Sequence, residues 1–354
     1  MKLLLIGGGT GGPTTTLLAI AEHFQKRHPQ VEYIFLADRS ETTRKFLAET
    51  RIPFITISAG KFRRYWSIHN IIDFGRIGKG FVQAQSVLSR FRPNGVLSCG
   101  SYVAPPVIAA AWLRHIPVYI HQQDVMPGLS NRLSKPFAKH ITVSFQESLK
   151  YFPSHKTSWT GNPVRTTILE GDKTRGYEYF HLKKEFPVTL ILGGGTGALG
   201  LNQCIEKAAH ELLTFTQIIH VTGKGKAVHI QHEYYRAKNF LNLSVMADAL
   251  QIADVIISRA GLGAITECAT VKKAPILVPL PYSHQEINAA ILANNMAALH
   301  LSQEKMTTIQ LVTTVQKMLT NTTETQRMGT KLFELLQPQT AGDRIAVILE
   351  KMFL

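Results

Sequence analysis

Short apolar runs recur along the chain, each followed by glycine or polar residues and then by apolar positions three and four apart. The runs predict strands at 2–6, 31–37, 53–57, 95–98, 117–120 and 140–143, and again at 188–192, 217–221, 254–257 and 275–278. Helical spacing fills the intervals, as at 17–25, 76–91, 200–213, 263–270 and 285–295, and an amphipathic helix is expected at about 341–352. Strands alternating with helices predict an α/β class with parallel sheets. The rhythm breaks at Gly161-Asn162-Pro163, and polar sequence follows as far as Lys184. The break predicts a domain over 1–163 and a second over 164–339, with the last helix, 340–354, expected to join the first.

Two of the strands lead into nearly the same loop. Gly7-Gly8-Gly9-Thr10-Gly11-Gly12 follows Lys2–Ile6, and Gly193-Gly194-Gly195-Thr196-Gly197-Ala198 follows Val188–Leu192. A buried strand, a glycine turn and a helix start place unpaired backbone N–H groups where an anion is favoured. Two such units, half a chain apart, suggest two similar domains facing each other across a cleft. Gly7, Gly9 and Gly12 also satisfy Gly-x-Gly-x-x-Gly, and Asp38 ends the second strand where a dinucleotide fold places its ribose-binding acid. A nicotinamide oxidoreductase is therefore the rival reading, although Asp38 is as readily a turn residue. A P-loop is excluded, because Pro13 and Thr14, not Lys, follow Gly12.

Charge changes the picture next. The chain of 354 residues has a net charge of +15, and residues 1–165 hold 21 Lys and Arg against 8 Asp and Glu. Basic residues crowd between Lys61 and Arg92, where Phe62, Arg63, Arg64, Trp66, Ile72, Arg76 and Lys79 mix cations with large apolar groups. Such a mixture suits an anionic membrane surface, a nucleic acid, or a helix packed on its own domain with a solvated basic face. No apolar stretch reaches the roughly 20 residues needed to span a bilayer, and no signal peptide is visible. Cys99, Cys204 and Cys268 are scattered, without metal spacing. A soluble or peripheral protein of a reducing compartment is expected.

Polar segments follow several other strands. Ser258-Arg259-Ala260-Gly261-Leu262-Gly263-Ala264-Ile265-Thr266-Glu267 puts small residues at a strand-to-helix turn and a carboxylate one turn onward. That acid can accept two hydrogen bonds from a ribose diol while the turn faces phosphate. Gln285 and Asn288, in His284-Gln285-Glu286-Ile287-Asn288-Ala289, share a helical face, and amides suit sugar hydroxyls. Gly100-Ser101-Tyr102-Val103-Ala104-Pro105-Pro106, the segment His121-Gln122-Gln123-Asp124 to Asn131-Arg132, and Gly161-Asn162-Pro163-Val164-Arg165 complete the set.

In this order and spacing, over nearly the whole chain, the segments resemble the MurG family of glycosyltransferases. The resemblance implies the GT-B fold, two Rossmann-like domains with the donor held mainly by the second. It implies transfer of N-acetylglucosamine from UDP-N-acetylglucosamine to the C4 hydroxyl of undecaprenyl-linked lipid I, making lipid II for peptidoglycan. It also implies peripheral attachment, through an apolar and basic patch, to an anionic membrane surface at the cytoplasmic face of the bacterial plasma membrane; this favours membrane over nucleic acid. By matching position, Glu267 is expected to hold the ribose, and Leu262, Gly263, Ala264, Ile265 and Thr266 to line the diphosphate and nucleotide. The main chain near Leu243 is expected at uracil, and Gly195, Thr196 and Arg165 at the diphosphate. Gln285, with Asn288 nearby, is expected at the sugar. Thr10, Gly11 and Gly12 are expected to approach the transferred sugar and the acceptor diphosphate, flanked by Asp124 and Asn131.

The chain departs from the family at Pro13, where a His is usual, at Gln122 and Asp124, where the family has Glu and Asn, and at Gly195 and Thr196, where Ser and Gln are common. Asp124 is therefore the candidate general base, ahead of His121 and His284. Helix N-termini and Arg165 can stabilise the leaving diphosphate, and no Asp-x-Asp is present to hold a metal beside it, so neither metal nor cofactor is expected. A scaffold relative without catalysis, motivated by Pro13, and a UDP-sugar glycolipid synthase remain as alternatives.

Overall fold

The computed structural model describes residues 1–9, 11–48, 50–60, 68–195 and 197–354, and of residues 42, 45 and 68–74 the backbone alone. The chain divides into two compact units, Met1–Pro163 with Gln339–Leu354, and Val164–Pro338.

In the first unit the elements run β1 (Lys2–Ile6), α1 (Gly11–Arg27), β2 (Glu32–Ala37), α2 (Glu41–Ala48), β3 (Phe54–Thr56), α3 (Ile68–Phe91), β4 (Gly95–Ser98), α4 (Ala104–Trp112), β5 (Val118–Gln122), α5 (Leu129–Ser134), β6 (His140–Val143) and β7 (Thr157–Trp159). The strands form one parallel sheet in the order β3-β2-β1-β4-β5-β6-β7. Both faces are covered, which is why the central strands are mostly apolar, with polar residues such as Ser98, His121 and Gln122 at their carboxyl ends. Alternate residues of β1 serve opposite layers: Leu3 and Leu5 pack with Leu17, Ile20 and Phe24 of α1, whereas Leu4 and Ile6 pack with Leu88 of α3 and Val107 and Ile108 of α4.

The second unit contains α6 (Lys173–Phe180), β8 (Val188–Leu192), α7 (Leu199–Leu212), β9 (Gln217–Val221), β10 (Tyr235–Lys238), α8 (Leu243–Ile252), β11 (Val255–Ser258), α9 (Leu262–Thr270), β12 (Pro275–Leu277), α10 (His284–Asn294), β13 (Leu299–His300), α11 (Thr308–Thr320) and α12 (Thr322–Leu336). Its sheet is again parallel, in the order β10-β9-β8-β11-β12-β13. Leu201, Ile205 and Leu212 of α7 and Leu311 and Val315 of α11 share a core with Ile191, Ile257 and Ile276 of the sheet.

The final helix, α13 (Pro338–Phe353), returns to the first unit. Its Ile345, Ala346 and Leu349 join the layer of Leu3, Leu5 and Phe24. Glu350 accepts hydrogen bonds from Arg27 Nε at 2.8 Å and Nη2 at 3.1 Å and lies 2.7 Å from His28 Nε2, and Asp343 lies 3.2 Å from His23 Nδ1. Gly342 permits the approach, since a Cβ there would sit 2.3 Å from the His23 ring.

In both sheets strand order reverses outward from the first strand of the unit, so the loops at the carboxyl ends of β1 and β4, and of β8 and β11, border the topological switch point where such folds bind ligands.

Candidate functional site

The first glycine loop leaves β1 with Gly8 and Gly9 at φ of +138° and +85°, conformations that a side chain would resist. A Cβ on Gly8 would lie 2.7 Å from Asp38 Oδ1, and one on Gly9 would lie 3.2 Å from the Tyr102 ring. The Gly9 amide donates to Asp38 Oδ2 at 3.1 Å, Tyr102 donates its hydroxyl proton to the same oxygen, and Ser40 and Thr43 donate to Oδ1 at 2.8 and 2.9 Å. The Asp38 carboxyl is held below the usual carboxylate range: burial pushes it up, and the donors from Tyr102, Ser40 and Thr43 outweigh that. Its acceptor capacity is therefore spent on the protein, which removes the ribose-binding role that the dinucleotide reading requires. Gly11 and Gly12 open α1, with Pro13 in the first turn, where its missing N–H costs nothing. Thr10 lies outside the described residues.

After β5, Gln122 uses both ends of its buried amide. Its Nε2 donates to the carbonyls of Asp124 at 2.7 Å and Met126 at 3.5 Å, and its Oε1 accepts from Asn131 Nδ2 at 2.7 Å. A carboxylate could not donate those bonds, so the amide at this position shapes the loop that carries Asp124. Asp124 is half-buried, and Asn131 is buried against Gly100. Gln123 Nε2 donates to the Gly12 carbonyl at 3.2 Å, joining this loop to the start of α1.

His121 requires a correction. It is fully buried, with Nδ1 2.8 Å from Thr142 Oγ1 and Nε2 3.0 Å from Asn162 Oδ1. Burial pushes its pKa down to about 4, so it stays neutral and fastens strands together rather than taking a substrate proton. His284 is exposed at the first position of α10.

In the second unit, Glu267 is half-buried in α9, whose N-cap is Gly261. Burial pushes its carboxyl up to about 7, while the Arg165 guanidinium pulls the other way. Arg165, half-buried, caps the 3₁₀ turn Thr166–Glu170, which packs against α8 and α9. Around them, Gly263 and Ala264 keep some exposure, whereas Leu262, Ile265 and Thr266 are buried. Leu243 begins α8 behind the Asn242 cap and is half-buried.

Gln285 is half-buried and accepts the Leu280 amide proton at 3.0 Å, engaging the oxygen end of its side chain. Asn288 is the second correction. It is fully buried, with Nδ2 donating to the Ala260 carbonyl at 3.1 Å, so it builds the turn before α9 instead of facing a sugar. Arg259 braces the neighbouring loop by donating from Nη1 to the carbonyls of Val278 at 2.9 Å and Pro279 at 3.0 Å.

Gly195 is exposed in the second glycine loop, and Thr196 lies outside the described residues. Lys226 Nζ donates to the Gly197 carbonyl at 3.0 Å. Asn202, buried against His220, ties in the Thr222 and Lys226 carbonyls at 3.0 and 2.8 Å. Tyr102, Gln122 and Lys226 were given no role from sequence, and Asp38 only the ribose-binding role of the dinucleotide reading. A signal existed for two of them: the order β2-β1-β4 sets the loops carrying Asp38 and Tyr102 on either side of the first glycine loop.

Of the basic segment, Phe62, Arg63, Arg64 and Trp66 lie outside the described residues, and Ile72 is described in its backbone alone. Arg76 and Lys79 are exposed on α3, as is Val82. Trp112 and Leu113, 52% and 57% exposed, end the helix packed on α3, and Leu133 is exposed on α5, which packs on α4. Among the described residues no helix is long and apolar enough to cross a membrane.

Models of the glycosyltransferase family 28 N-terminal and C-terminal domains match residues 3–143 and 188–342. A Bacillus cereus protein named UDP-N-acetylglucosamine–N-acetylmuramyl-(pentapeptide) pyrophosphoryl-undecaprenol N-acetylglucosamine transferase 2 is 34% identical, covering 90% of this chain and 92% of its own. A Clostridium botulinum transferase named likewise, without the number, is 36% identical over 90% of both chains. The crystal structure of Acinetobacter baumannii MurG superposes with a TM-score of 0.73, at 26% identity and 99% coverage of both chains. With both domain models in order and relatives of this identity spanning nine tenths of its length, the chain belongs to glycosyltransferase family 28 and, within it, to the MurG family.

Proposed function

We propose that this protein transfers N-acetylglucosamine from UDP-N-acetylglucosamine to the C4 hydroxyl of the muramoyl sugar of lipid I, with inversion at the anomeric carbon, giving lipid II and UDP. The observation that carries the donor side is Glu267, a partly desolvated carboxyl beside Arg165 on the helix that begins at Gly261. A vicinal diol donating two hydrogen bonds stabilises the ionised carboxylate, and the first amides of α9 are oriented towards anions. The leaving diphosphate gains negative charge as the glycosidic bond breaks. Arg165, the helix start and the Gly193–Ala198 loop would stabilise that charge.

On the acceptor side, Gly11 and Gly12 at the start of α1, Asp124 after β5 and Asn131 in α5 would flank the acceptor, with Asp124 taking the proton from the attacking hydroxyl. The first unit would serve the acceptor and the second the donor. Turnover of UDP-N-acetylglucosamine with a lipid I analogue, with UDP released only when both are present, tests the reading. UDP release without acceptor would overturn it in favour of donor hydrolysis, and the absence of both transfer and UDP release would overturn it in favour of the scaffold alternative.

Attachment to the cytoplasmic face of the plasma membrane is part of the same reading. Arg76 and Lys79 on α3, with Val82, Trp112, Leu113 and Leu133, supply cations and exposed apolar surface on three packed helices. Anionic vesicles should therefore sediment the protein and neutral vesicles should not, and added salt should release it. Equal sedimentation with both vesicle types would reject the membrane assignment.

A further inference from the structure

Asp38 carries more hydrogen bonds than closing a strand requires. Its two oxygens collect donors from three separate segments: the Gly9 amide after β1, Ser40 and Thr43 at the turn into α2 and its first turn, and Tyr102 after β4. Asp38 is 4% exposed.

The third loop is held in a costly conformation to deliver its donor. Ser101 has φ of +125°, a region that residues with a side chain avoid. It is kept there by Ser130, which donates to its carbonyl at 2.6 Å, and by its own Oγ, which accepts the Val103 amide proton at 3.2 Å. Its neighbour Tyr102 then lies over Gly9, so that a Cβ on Gly9 would touch the ring. The carboxylate fixes the Gly9 amide; glycines at 8 and 9 could otherwise adopt many backbone conformations, and each would re-aim the start of α1.

We infer that Asp38, clamped by Tyr102, is a positioning residue that holds the first glycine loop in the shape that receives the acceptor. The inference rests on the transferase reading, which places the acceptor at this loop. Asp38 touches no substrate; it acts through the Gly9 amide. The arrangement sets the loop before the lipid arrives, so ordering it is no longer charged against binding.

Tyr102→Phe in the full chain tests the clamp, because it deletes one hydroxyl and keeps the ring over Gly9. The expected result is an acceptor KM raised roughly tenfold, the scale of a hydrogen bond to a charged group. The KM for UDP-N-acetylglucosamine should stay within about twofold, since a loss confined to one substrate is a loss of its binding geometry. Asp38→Asn, which keeps one acceptor oxygen, should be milder than Asp38→Ala in the same direction. An unchanged acceptor KM in Tyr102→Phe, or an equal rise for both substrates, would overturn the inference while leaving the transferase reading intact. A wild-type chain inert towards the lipid analogue would instead sink that reading, and this inference with it.

Discussion

The two glycine loops share a sequence pattern and differ in what braces them. The first is held by a buried carboxylate that accepts the Gly9 amide proton; the second by the Lys226 ammonium, which donates to the Gly197 carbonyl. One brace is negative and surrounded by four donors. The other is positive and partly exposed. Placing a cation against a turn that already presents amides raises its attraction for a dianion, whereas an ionised carboxylate satisfied by neutral donors fixes shape and adds no positive charge. Repetition of a motif thus conserves the backbone turn and not its electrostatics, a difference that favours the proposed placement of the donor diphosphate at the second loop.

Three substitutions would break or sharpen that contrast. The largest effect is expected in the first unit from Asp124→Asn: as general base, its loss should lower kcat roughly 10²-fold or more with little change in either KM. Turnover unaffected between pH 5 and 9 would dismiss Asp124.

Next comes Glu267→Gln, expected to raise the KM for the UDP sugar about tenfold or more through loss of a charged acceptor. The sign of its pH dependence follows from the upward shift. Below about 7 the unliganded carboxyl holds a proton that diol binding must displace, so donor affinity should fall as pH drops through 7. Glu267→Gln should flatten that dependence. Calorimetric titration of UDP at pH 5.5, 7 and 8.5 is the measurement, and a flat profile in the wild type would remove Glu267 from the ribose.

The smallest effect is expected from Lys226→Met, a rise of about threefold to fivefold in donor KM that grows at low salt, with acceptor KM unmoved. If the acceptor KM moved instead, the assignment of the two loops would have to be exchanged.

Much of the fold was legible because strands buried on both faces are written as apolar runs, as in Leu3-Leu4-Leu5-Ile6 and Val188–Leu192, the latter with Thr189 as its one polar member. Three strands were not seen, β7, β10 and β13, and all lie at sheet edges. An edge strand needs less burial, and Thr157-Ser158-Trp159 or Tyr235-Arg236-Ala237-Lys238 carries no apolar run to find it by. The loops that gather the candidate site could be located, since glycine and polar residues collect after strands. Which side of a loop each side chain serves could not. Asn288 and Gln285 are three residues apart on one helix, yet one is sealed under Ala260 and the other is half-open. His121 looks reactive in a string of letters, but Thr142 and Asn162, 21 and 41 residues away, make it a fastener.

The return of α13 has a consequence for biosynthesis. Residues 339–354 leave the ribosome after everything from 164 to 338, yet they cover Leu3, Leu5 and Phe24 of the first unit. During elongation that greasy face stays uncovered while the entire second unit is made and can fold. A nascent chain stalled before residue 339 should therefore engage chaperones through the layer of Leu3, Leu5 and Phe24 rather than through its newest segment.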